Sequence, residues 1–162
     1  MFVELALVLL PLMALLSGFF DISFALFSWT TLQNAVREGC RFAITFQTTT
    51  PSGGACSGQD NCIQQVVQQY SMGLVNVAGG LIHVNYFTQA APNTVIAAPN
   101  GNVPGNIVEV SVQTYPMQWL VPLSGTVASP FRSTSPATIS VYSSDVMGGY
   151  PVGITAANPI AR

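Results

Sequence analysis

The chain has 162 residues, only 6% of them charged, 49% hydrophobic and none of them lysine. That length allows one ordinary domain plus a long appendage, and a formal net charge of -2 leaves no basic patch for a nucleic-acid partner. A surface so poor in charge must be built from Ser, Thr, Asn and Gln, and copies of it repel one another weakly, which suits a subunit that packs against itself.

The first element is an apolar run, MFVELALVLLPLMALLSGFFD, with Glu4 near its head, Asp21 at its foot and no basic residue. With ISFALFSW it continues to Trp29, longer than the ~20 residues a membrane-spanning helix needs. A secretory signal peptide would need a basic leader that this run lacks, so the expectation is a retained anchor. Its Leu, Val, Phe and Ile outweigh the insertion cost of one acid, and Asp21 is then an intramembrane acid that must reach a partner or the interface. Pro11 removes one helical hydrogen-bond donor, which predicts a bend or a locally melted turn over Val8 to Pro11.

After Asp21 the pattern becomes amphipathic. Ile22, Leu26, Trp29, Leu32, Val36, Cys40 and Ala43 recur at three- and four-residue steps, with Ser28, Gln33, Arg37 and Arg41 off that stripe. One helix is therefore expected from the start to about Phe46, dividing the chain into a helical stalk at 1–46 and a head at 47–162. Arg37, Glu38 and Arg41 read as a solvated patch with one i,i+3 ion pair.

Thr45 to Asn61 is a polar loop rich in Thr and Gly. Two of the three cysteines, Cys56 within it and Cys62 just after it, bracket the stretch CSGQDNC. They are the least costly pair to close because the loop between them is short, and they are the expected disulfide, although Cys40 could pair with either. A bridge places the head outside the cytoplasm. Asp60 or Asn61 is expected to cap a second helix with an apolar stripe of Ile63, Val66, Val67, Tyr70 and Leu74, stopping near Gly79 and Gly80.

Three strands follow, at Leu81 to Phe87, Ile107 to Tyr115 and Thr138 to Tyr142. In the second, Val108, Val110 and Val112 alternate with Glu109, Ser111 and Gln113, as in a sheet with one face on a core. The residues after Gly148 show no periodicity and are expected to form an extended arm against a neighbour. The fold class is α+β: a long amino-terminal helix, a small antiparallel sheet and a second helix.

No catalytic, cofactor or metal site is expected. His83 is the sole histidine and alternates within a strand, Asp60, Glu109 and Asp145 are isolated in sequence, and the glycine pairs at Gly53, Gly79 and Gly148 match no phosphate loop.

The stretch VELALVLLPLMALLSGFFDISFALFSWTTLQNAVREGCRFAI resembles the start of TadE-like pseudopilins of the bacterial tight-adherence system, relatives of type IV pilins. The landmarks are Glu4, Pro11, Asp21 and the block from Leu32 to Arg41. The resemblance implies a subunit handled by a prepilin peptidase and pilus assembly machinery, methylated at its new terminus, resident in the inner membrane and then packed among identical copies in an extracellular filament. It also implies that Glu4 pairs with the terminal amine of a neighbouring copy, at Met1 in this numbering. The family glutamate is usually the fifth mature residue, whereas here it is the fourth. Two other roles compete: a minor pseudopilin that primes assembly from the inner membrane, and an anchored binding domain using exposed aromatics such as Tyr115, Trp119, Tyr142 and Tyr150.

Overall fold

A computed structural model of the chain describes residues 2–50, 52–117, 137–154 and 160–162. The first helix, α1, spans Phe2–Ile44, 43 residues, or about 65 Å at 1.5 Å per residue. The helix is continuous through Pro11, so no melted turn separates its two halves. The missing proline amide costs one ladder bond that the neighbouring turns tolerate.

The second helix, α2, spans Gln59–Tyr70. It begins one residue before the expected cap. Gly58 occupies the cap position with no side-chain bond, while Asp60 lies inside the first turn and its carboxylate is used elsewhere. It also stops well before Gly79. Ser71 closes it, its amide donating to Val67 O and its hydroxyl to Gln68 O, and Met72 and Gly73 then take positive φ, which ends the helical path. The glycines at 79 and 80 instead close a short 3-10 turn, Val77–Gly79.

Four strands complete the head: β1 Ile82–Thr88, β2 Ala91–Val95, β3 Ile107–Pro116 and β4 Thr138–Val146. They form one curled antiparallel sheet in the order β2-β1-β3-β4. Strand β2 was not expected from sequence. It is exposed along its whole length and contains Pro92, which is tolerated because β2 is an edge strand.

The core lies where the second half of α1 crosses α2 and the inner face of the sheet. Leu32, Val36, Cys40 and Ala43 of α1 meet Ile63, Val66 and Val67 of α2 and the valines 108, 110, 112 and 141. Alternation along β3 sends every second side chain into this layer. Gly39 makes the helix crossing close: a Cβ there would lie 2.5 Å from Val67 Cγ2. Cys56 and Cys62 are joined across Cα atoms 5.3 Å apart, tying the polar loop to the first turn of α2. Cys40 is free and buried.

Candidate membrane and assembly surface

The first half of α1 projects from the head with its large apolar side chains outward. Leu7, Leu15, Phe19, Ile22 and Leu26 are all more than half exposed. The apolar stripe expected from sequence therefore divides at about residue 30. Leu32, Val36, Cys40 and Ala43 are buried in the head, whereas Ile22, Leu26 and Trp29 face outward.

What is shielded instead in this half is its most polar line. Asp21 is 8% exposed and Ser28 fully buried, and with Ala35 they fall on one helical face at seven-residue spacing. Asp21 and Ser28 turn into the monomer while the exposed Ser23 and Thr30 return their hydroxyls to the helix carbonyls of Phe19 and Leu26, so the outward surface is dominated by apolar side chains, the reverse of a helix in water. A helix whose final surroundings are apolar reaches this pattern for the same reason that a water-facing helix reaches the opposite one. Were this half of α1 in a membrane, the shielding of Asp21 would keep its carboxylate out of the hydrocarbon, where a charge costs several kcal/mol. The Ser28 hydroxyl is buried and finds no hydrogen-bond partner among the described residues.

By length and composition, Leu7–Ile44 is a candidate membrane span. Glu4 lies in the first turns of α1, and Met1 lies outside the described residues. Arg41 and Glu38 form the expected surface ion pair at 3.3 Å.

Sequence reasoning missed a second polar centre, in the head. Residues 160–162 lie on the head itself, and this corrects the expectation of an arm reserved for a neighbour; residues 155–159 lie outside the described residues. Arg162 inserts its guanidinium with only 8% of its side chain exposed, Nε 3.0 Å from Asp60 Oδ2 and the group 4.4 Å over the Tyr86 ring. Its Nη1 donates to the carbonyls of Ile96 and Asn100. The Tyr86 hydroxyl donates to Asp60 Oδ1 at 2.8 Å. Burial, and then the Asp60 charge, pushes the Tyr86 phenol well above its ordinary value.

Beside this cluster, the backbone amide of Gln59 donates to Ala161 O, its side chain donates to Ala43 O, and Asn102 donates to both Gln59 Oε1 and Ile160 O. Buried polar groups are thus satisfied by joining four separate parts of the chain. No local pattern announces such a cluster. Its only sequence signal is the scarcity of charge, which leaves an arginine and an aspartate few partners to choose from.

His83 is exposed on the outer face of the sheet. Among the described residues no group of three or more His, Cys, Asp or Glu side chains gathers as a metal site. Of the aromatic candidates, Tyr142 is exposed, Tyr115 half-buried, Tyr150 packed on Phe46, and Trp119 outside the described residues.

Residues 1–41 match the family model described as TadE-like protein. No curated protein and no solved structure matches the chain. The match falls on α1, running through its outward-facing half and on past Leu32 into the part that packs in the head, so what the chain shares with TadE-like proteins is this helix.

Proposed function

We propose that the chain is a structural pilin-like subunit that polymerises through the apolar half of α1 into an extracellular filament. The observation that carries this reading is the outward apolar surface of the helix: from Leu5 to Trp29 the described large apolar side chains other than Phe24 are exposed while Asp21 and Ser28 are shielded. About fifteen such side chains, at about 1.5–3 kcal/mol each, give a gross burial of tens of kcal/mol. Ordering and association costs consume much of it, and the remainder suffices for a polymer that rarely dissociates. Lipid satisfies the same surface before assembly, and the flanks of identical copies satisfy it afterwards. A rotation that does not close on itself turns one such heterologous contact into a helical filament.

Glu4 then pairs with the terminal amine of a neighbouring copy, because a carboxylate among apolar helices is tolerable chiefly when matched by a cation. In cells carrying Glu4→Leu the protein is expected in the membrane fraction as before, with surface filaments lost. Normal filaments in that variant refute the pairing. Shearing the cell surface and weighing the intact subunit tests the polymer itself: a major subunit dominates the sheared material, whereas a primer held at the inner membrane is scarce in it.

A further inference from the structure

Neither the membrane nor the filament reading uses the outer face of the sheet, turned away from α1. There the strand register places His83, Ser111 and Tyr142 side by side across β1, β3 and β4, and Asn85, Glu109 and Ser144 in the next row. Between Val112 and Tyr115 the β3–β4 ladder shifts, so that Gln113 and Thr114 together oppose Ser140. Bulges of this kind re-aim side chains and gather beside functional sites. Thr114 has φ of 53°, a left-handed conformation that a β-branched residue rarely adopts. It is held there by its amide donating to Ser140 Oγ at 3.1 Å and its hydroxyl donating to Gln113 O at 2.8 Å. Strain of this sort persists where the surroundings impose it, and it clusters at ligand sites.

The bulge borders a cavity of ≈ 320 Å3, lined by Glu109, Ser111, Gln113, Ser140 and Tyr142 among others. The Tyr142 side chain is 69% exposed beside it. The Gln113 amide donates to Ser111 Oγ at 3.1 Å, which fixes the orientation of its carboxamide.

We propose that this cavity binds an uncharged saccharide. The lining excludes other chemistries in turn. Among the described lining residues the one charged group is the Glu109 carboxylate, so phosphate, sulfate and acidic sugars meet repulsion there. A purely apolar ligand would strip water from a carboxylate, a carboxamide and several hydroxyls and return no hydrogen bonds. A neutral sugar matches both halves of the site. Its ring C–H face stacks on an exposed phenol ring, and its hydroxyls, each both donor and acceptor, serve an acceptor-only carboxylate and the mixed Gln and Ser groups. The volume lies at the small end of ligand pockets, so one copy binds weakly and an array of copies gains by avidity. The site stands whether or not the chain polymerises.

The full chain, held in micelles of a detergent without a sugar head group, is applied to an array of neutral, sialylated and sulfated glycans. The neutral glycans it retains are then titrated by saturation-transfer NMR. Neutral glycans are expected to bind in preference to acidic ones. Tyr142→Ala is expected to weaken binding about tenfold or more, with Tyr142→Phe keeping most of it because the ring remains. Near-UV circular dichroism checks that each variant is folded. Absence of neutral-glycan binding, a preference for acidic glycans, or binding unchanged in folded Tyr142→Ala overturns the proposal.

Discussion

Arg162 and Asp60 stand 102 residues apart in sequence and 3.0 Å apart in the fold, with the Tyr86 ring beneath the shared guanidinium. Removing the arginine leaves a partly shielded carboxylate and two carbonyls without their donor. Arg162→Ala is therefore expected to lower head stability by about 2 kcal/mol, less than for a fully buried pair because Asp60 keeps some contact with water. Arg162→Lys restores charge without the planar fork or the ring stacking and recovers less than half of the loss. Urea unfolding of the full chain, followed by near-UV circular dichroism, measures both.

Tyr86 predicts an alkaline limit on that stability. Its folded-state pKa is raised above the ordinary value of 10.0, chiefly by burial and then by Asp60. A raised pKa contributes stability that is complete below the unfolded value and is lost as pH climbs past it toward the folded one. The wild-type head is expected to hold its stability up to about pH 10 and to weaken above it. Tyr86→Phe starts lower at neutral pH, having lost a bond to a charged acceptor, and shows less alkaline decline. Melts from neutral pH to about pH 11 should show the two curves converging.

Gly39 predicts a steric coupling between the helices. With Val67 Cγ2 2.5 Å from the position of an added methyl carbon, Gly39→Ala forces α1 and α2 apart and is expected to cost about 2 kcal/mol. Val67→Ala removes the obstructing methyls and leaves a cavity of its own. The double variant should be less destabilised than the sum of the single ones by about 1 kcal/mol or more, and simple additivity would disprove the contact.

The cysteines predict two separable behaviours. Replacing Cys56 and Cys62 together by alanine opens a loop of six-residue separation and is expected to cost about 2 kcal/mol in chain entropy. Cys40 is buried and free, so a maleimide should add to the native head slowly and once denatured should add one label per chain under non-reducing conditions. Intact mass reads both.

Much of this architecture was legible because it is written in periods. The valines of β3 alternate, the apolar positions from Leu32 to Ala43 recur with the helical turn, and both sets are found in the core. Strand β2 escaped notice because Pro92 argues against a strand, no side chain in it is buried, and Gln89-Ala90 is not a recognisable hairpin turn. The outward placement of Ile22, Leu26 and Trp29 was hidden for another reason: an apolar stripe has the same period whether it faces a core or a membrane. Tertiary pairings such as Arg162 with Asp60, or Gln59 with Asn102, carry no local signature, because the distance that matters exists only after folding.

One rod, α1, serves as greasy shaft at one end and as spine of the head at the other, with no joint between. Any load drawn along the shaft is delivered directly into the valine-lined sheet, and the tilt of each head is dictated by the lean of its own shaft. In the filament proposed above, stiffness would therefore be governed by the bending of single helices, and swivelling of heads would contribute little to it.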